Sequence, residues 1–210
     1  DEPKAAEIRV EPSGAGKAHS RNSRVRTGQP GDGGAVLPDP PEGIQSAVLR
    51  DAALAELIFA RVGRFELSVY ETTNGAYARC VDAKACRPPL NRADLTDPEK
   101  KFHPVVWVAR GDAETFCRWI GGRLPSEAEW NEAARMEKAP GPAQRSPAPV
   151  ASRPASSLGI YDLAGNVREW VAGGGQGIVC GGAWDQPGAE TRDTVPAGSR
   201  APAIGFRCAR

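Results

Sequence analysis

The sequence predicts an α+β domain, rich in loops, with two central helices among many short strands. Three observations carry the prediction. Gly 24 and Pro 19 in a chain of 210 residues disfavour long helices, because glycine costs backbone entropy and proline removes a helical hydrogen bond. Two helix-start signals lie close together, at Asp112 and at Ser126 with Glu129 three residues on. Short apolar or alternating runs, each bounded by Gly, Pro or Asp, recur along the chain without an internal repeat.

Taken in order, residues 1–43 carry Pro, Gly, Ser and scattered charge with almost no apolar periodicity. Such a stretch cannot bury enough surface to offset chain entropy. It reads as a disordered linker or tether ahead of a domain at residues 44–210. From Ile44 to Leu57, the positions Val48, Leu49, Ala52, Ala53 and Leu57 fit a short amphipathic helix. Val62 to Tyr70 reads as a strand with Phe65, Leu67 and Val69 on one face. Asn74 is a good N-cap for a helix carrying Ala76, Tyr77 and Cys80. Residues 87–104 read as a long loop and Val105–Val108 as a short buried strand. Asp112 opens a helix through Trp119, which Gly121-Gly122 ends. Ser126 and Glu129 have capping-box spacing for a helix to about Met136. Residues 139–157 form another loop, Ile178–Trp184 a strand containing Gly181-Gly182, and Ile204–Ala209 the last strand.

Charged residues make up 25% of the chain and the net charge is +1, so there is no electrostatic footprint for nucleic acid or an anionic membrane. No apolar run has the length of a membrane-spanning helix. Starting at Asp1 rather than Met, the chain is expected to be a processed product or a cut piece. Cys80 and Cys86 flank a five-residue loop and have the spacing of a local disulfide, which would place the protein in an oxidising compartment. Two unrelated thiols are the alternative. A zinc pair is disfavoured, since only His19 and His103 could complete it.

Several segments then occur in a specific order: Gly121-Gly-Arg-Leu-Pro-Ser-Glu-Ala-Glu-Trp130, Gly159-Ile-Tyr-Asp-Leu-Ala-Gly-Asn-Val-Arg-Glu-Trp170, Gly181-Gly-Ala-Trp184 and Gly205-Phe-Arg-Cys208. Across Phe65–Arg210 the chain resembles the formylglycine-generating enzyme (sulfatase-modifying factor) family. The resemblance implies a C-type lectin-like fold. It implies a disulfide between Cys117 and Cys208, with two buried free thiols as the alternative. It also implies a structural calcium site at Asp162, Gly165, Val167 and Glu169, with carboxylates at its two ends and backbone carbonyls between. Six to eight hard oxygen ligands suit that ion. The alternative is a turn held by Asn166 and Glu169 hydrogen bonds with no metal. The family's second calcium site falls in the Pro/Ala-rich stretch before Gly159 and is not carried over. Trp107, Trp119, Trp130, Trp170 and Trp184 sit inside the motifs and read mainly as core.

The family's aerobic enzymes hold copper(I) through two cysteines. By position these fall at about Gln186 and Thr191. An amide and a hydroxyl are hard donors that suit copper(I) poorly, so no copper is expected. Cys180, the odd cysteine, reads as a buried strand residue rather than a reactive thiol. No Ser/His/Asp set, phosphate loop or acid/base pair can be assembled, so no catalytic residue is assigned. The resemblance therefore implies a non-catalytic, extracytoplasmic binding or structural module, bacterial in source. Its expected ligand surface is Trp184, Asp185, Gln186, Glu190, Arg192 and Arg200, facing a protein or glycan. The alternatives are an oxidative enzyme of the same fold with copper-independent chemistry, or an accessory subunit of a larger envelope complex.

Overall fold

The computed structural model describes residues 42–137, 142–188 and 191–210. The expected tether, but for Glu42 and Gly43, lies outside the described residues. Helix α1 (Glu42–Ala55) starts two residues earlier than the periodicity suggested. Strands β1 (Phe59–Val62) and β2 (Phe65–Ser68) form an antiparallel hairpin with Val62 opposite Phe65. The single strand expected over 62–70 is thus cut by a two-residue turn, where Gly63 takes φ +53°. A left-handed residue suits the twist of such a tight hairpin.

Helix α2 (Asn74–Asp82) is capped by Thr73, whose side chain accepts the Ala76 N–H. Asn74 is therefore the first helical residue rather than the cap, and its side-chain amide donates to the Lys100 carbonyl at 3.1 Å. The loop expected over 87–104 contains a single-turn helix, α3 (Ala93–Thr96), and a 3-10 turn at Pro98–Lys100. Val105, Val106 and Val108 are buried as expected, but they form no strand. Trp107 takes φ +62° between them, which breaks the extended run.

Helix α4 (Arg110–Trp119) buries Ala113, Phe116 and Cys117. Asp112 opens it by accepting the Ala109 N–H at 3.0 Å, and Gly121 follows at φ +83°. Helix α5 (Glu127–Ala134) carries the expected capping box: Ser126 Oγ accepts from the Glu129 N–H, and Glu129 accepts from the Ser126 N–H.

A four-stranded sheet has the order β5–β4–β3–β6, from β3 (Arg168–Val171), β4 (Gly177–Cys180), β5 (Arg192–Val195) and β6 (Ile204–Gly205). β3 runs parallel to β6, and the other pairs are antiparallel. β4 ends at Cys180 instead of running to Trp184. Gly181 (φ +82°) turns the chain there, and a Cβ at Gly182 would meet the Gly188 nitrogen at 2.3 Å. The last strand is two residues long rather than six. Beyond it, Ala209 bridges singly to Leu67 and to Arg123.

One apolar cluster joins α2, α4, Trp170, Val179 and Phe206, with Tyr77, Phe116 and Phe206 in ring contact. A second joins Leu67, Trp130, Ile160, Leu163 and Val171. Disulfides Cys80–Cys86 and Cys117–Cys208 tie the first cluster, the latter closing a separation of 91 residues.

Candidate functional site

A charged centre lies where the two clusters meet. Glu169 on β3 and Arg207, just beyond β6, are both fully buried. The Arg207 Nη2 donates to Glu169 Oε1 and its Nε to Oε2, each at 2.7 Å. Two further guanidinium hydrogens reach the carbonyls of Ser68 (3.1 Å) and Tyr161 (2.8 Å). Trp130 from α5 adds its indole N–H to Glu169 Oε2 at 2.8 Å. A buried charge pair persists only when its geometry is good and its spare valences are largely filled, and here four of the five guanidinium hydrogens and both carboxylate oxygens are bonded. Glu71 faces the same centre, fully buried, with neither carboxyl oxygen hydrogen-bonded. Burial, reinforced by Asp162, pushes its carboxyl well above the ordinary range. Neither Glu71 nor Arg207 was singled out from the sequence. A Glu in an apolar run and an Arg before a cysteine carry no local signal of a partner across the chain.

Next to this centre is the turn Asp162–Val167. Asp162 (φ +63°) and Asn166 (φ +65°) both sit in the left-handed region, which Asp and Asn tolerate better than most residues. Asp162 Oδ2 accepts the Ala151 N–H at 2.7 Å, and Asn166 Oδ1 accepts the Ala148 N–H at 2.9 Å. The carbonyls of Ala164 and Asn166 accept from Gly188 and Trp184. The turn is therefore pinned on one side by the chain at 148–151 and on the other by the chain at 184–188.

The expected calcium ligands fit this arrangement poorly. Asp162, Gly165 and Val167 share the turn, but the Glu169 carboxylate is committed to Arg207 and Trp130. A second guanidinium, Arg153, lies against the turn. A Cβ at Gly165 would come within 1.9 Å of Arg153 Nη1. Among the described residues no cluster of three or more His, Cys, Asp or Glu side chains has the disposition to hold a metal ion. Asn166 braces the turn through the Ala148 N–H, while Glu169 bonds to Trp130 and Arg207 rather than to the turn.

The expected ligand surface is only partly brought together. Trp184 is half-buried, and its indole nitrogen is buried without a hydrogen-bond partner. Asp185 and Gln186 are exposed beside it. Gln186 Oε1 accepts from Arg168 Nη2 at 2.9 Å, and the same arginine reaches Asp193 at 3.2 Å. Thr191 is exposed and donates its hydroxyl to the Gly188 carbonyl at 3.0 Å. Arg192 pairs with Glu127, at the start of α5, at 2.7 Å. Glu190 lies outside the described residues. Arg200 is engaged elsewhere. It and Arg87 both clamp the buried Asp112 carboxylate, at 2.9 and 2.8 Å. Asp193 falls within the 185–202 stretch expected on this face, whereas Arg168 was not expected there. The polarity of Arg168 marks it as a surface residue, but only the β3–β4–β5 register places it between Gln186 and Asp193.

Cys180 is buried, and burial pushes its thiol up to about 12. This suits the inert strand residue expected of it. Among the described residues no helix is long and apolar enough to cross a membrane.

The model of the sulfatase-modifying factor enzyme 1-like domain matches residues 59–141 and 138–210. The formylglycine-generating enzyme of Mycobacterium tuberculosis is 38% identical over 118 residues, which is 41% of this chain and 39% of that protein. The serine/threonine-protein kinase Pkn1 of Chlamydia trachomatis is 41% identical over 90 residues, 36% of this chain and 15% of that protein. The chain thus spans well under half the length of these relatives. Among solved structures, CarF superposes with a TM-score of 0.58 at 20% identity, covering 73% of this chain and 92% of that one. PvdO from Pseudomonas aeruginosa gives 0.57 at 24% identity, covering 70% and 80%. Treponema denticola variable protein 1 gives 0.57 at 18%, covering 69% and 84%. These likenesses agree on the fold.

Proposed function

Because the chain belongs to the sulfatase-modifying factor enzyme 1-like family, we propose that it keeps the family fold without its copper chemistry. It serves as a non-catalytic binding or structural module outside the cytoplasm. The observation that carries this reading is the chemistry at Gln186 and Thr191. Where the family's copper enzymes have two thiolates, this chain has an amide held by Arg168 and a hydroxyl turned to a backbone carbonyl. Copper(I) is soft and favours thiolate over such donors. Cys180 is no substitute, since it is single, buried and protonated at neutral pH. Two disulfides support an oxidising compartment.

The surface left for a partner is the exposed polar loop around Asp185 and Gln186, flanked by Arg168, Asp193 and Arg192. Mixed charges with an aromatic at the edge suit a protein or glycan ligand. Membership of a larger envelope complex is compatible with the same surface. Titration of the purified protein against a chromogenic copper(I) chelator tests the reading. The protein should leave the chelator complex intact. Withdrawal of one equivalent of copper would contradict the proposal.

A further inference from the structure

We propose that Arg153 stands where the family's calcium would, as a built-in cation that makes the Asp162–Val167 turn independent of metal. Three observations converge on it. The Arg153 Nη1 packs so closely on Gly165 that only glycine fits, with a Cβ reaching 1.9 Å from Nη1 and 3.0 Å from Cζ. Both terminal guanidinium nitrogens are buried and have no hydrogen-bond partner. Burial raises the Asp162 carboxyl above its ordinary value, and the Arg153 charge, like that of Arg207, acts in the opposite direction. The third observation is that the Glu169 carboxylate, needed for a calcium cage, is bound at both oxygens by Arg207.

The chain around Arg153 is fixed rather than draped. Ala148 donates to Asn166, Val150 to the Phe102 carbonyl, Ala151 to Asp162, and Ser156 to the Ile160 carbonyl. Arg153 is carried between these anchors onto the turn. The arrangement of charges agrees. Arg207 is ion-paired to Glu169, and Arg153 sets a second guanidinium charge beside Asp162 that acts on it through its field. A divalent ion added to this arrangement would be repelled by two guanidiniums, of which Arg207 cannot be displaced without unpairing Glu169.

The test uses the full chain and two variants, Arg153→Met and Arg153→Lys. Calcium content is measured after dialysis against metal-free buffer, and thermal unfolding is followed with chelator, with millimolar calcium and with millimolar magnesium. The unchanged protein should retain no stoichiometric calcium, and its Tm should be the same in all three buffers. Arg153→Met leaves the turn's carboxylate and carbonyls facing an open place. Its Tm should fall with chelator and rise by roughly 5–10 °C in calcium, given the shift expected when a ligand well above its Kd binds only the folded state of a domain this size. Arg153→Lys, which keeps the charge, should stay indifferent to calcium. Stoichiometric calcium in the unchanged protein, or a chelator-induced fall in its Tm, would overturn the proposal whether or not the variants fold. A folded Arg153→Met protein indifferent to calcium would overturn it as well.

Discussion

Replacing Arg207 with Met is the sharpest probe of what holds this fold together. Arg207 is fully buried and spends four hydrogen bonds, two on Glu169 and one each on the carbonyls of Ser68 and Tyr161. Met would fill much of the volume but would leave the Glu169 carboxylate with only the Trp130 N–H. Removing one partner of a buried ion pair typically costs about 3–5 kcal/mol, because the other charge remains desolvated. For a domain of this size each kcal/mol lowers Tm by about 2–4 °C, so the melting point should fall by roughly 6–20 °C. Equilibrium urea unfolding under non-reducing conditions gives the free energy directly. The companion variants are Glu169→Gln and the double variant Glu169→Gln/Arg207→Met. If the pair acts as a unit, the double variant is more stable than the sum of the single losses predicts, with coupling of at least about 1 kcal/mol. A loss under about 1 kcal/mol for Arg207→Met, or single losses that simply add, would refute the argument that this pair is a coupled core element.

Other expectations follow from the same geometry. Cys208→Ser opens a loop of 91 residues and should lower stability by roughly 4–5 kcal/mol on the chain-entropy scale, read by the same urea titration. Cys180 should not react with a thiol reagent in the folded protein at neutral pH, whereas one thiol should appear on denaturation without reduction, since the other cysteines are disulfide-bonded. Hydrogen bonds from Arg123 hold the Glu129 carboxyl down at about 2. A depressed carboxyl stabilises the fold fully above its unfolded value, near 4.5, and that contribution fades as pH falls toward 2. Glu129→Gln should flatten the stability–pH curve in that window and nowhere else. The pair is partly exposed, so the effect should shrink in high salt.

What the sequence disclosed was mostly what is decided locally. The Ser126–Glu129 capping box, the glycine stop at Gly121 and the Cys80–Cys86 staple each depend on residues within one turn or loop, and each is present. The Cys117–Cys208 bridge was legible only through the family resemblance, because no spacing rule links cysteines so far apart. β1 was missed because Gly63 hides a hairpin inside one apolar run. β5 was missed because Arg192, Asp193 and Thr194 are exposed, so the strand has no buried face to mark it.

At the site, the motif drew attention to Asp162 and Glu169 but not to the guanidiniums beside them. Arg153 is one of two arginines in a Pro/Ser/Ala loop, with Arg145, and Arg207 lies 38 residues beyond Glu169. Both roles are set by tertiary placement. Arg200 shows the reverse error. Proximity in sequence to Arg192 suggested a shared surface, yet its charge belongs to Asp112, 88 residues earlier.

The measurement that bears most directly on the central claim is a mass-spectrometric turnover assay. Folded protein, with both disulfides verified, is incubated with copper(I), oxygen, reductant and a peptide containing Cys-x-Pro-x-Arg. The account predicts that the peptide cysteine stays unchanged over many hours at stoichiometric protein. Conversion to formylglycine, with its characteristic loss of mass, would contradict the account and show that Gln186 and Thr191 do not disable the site.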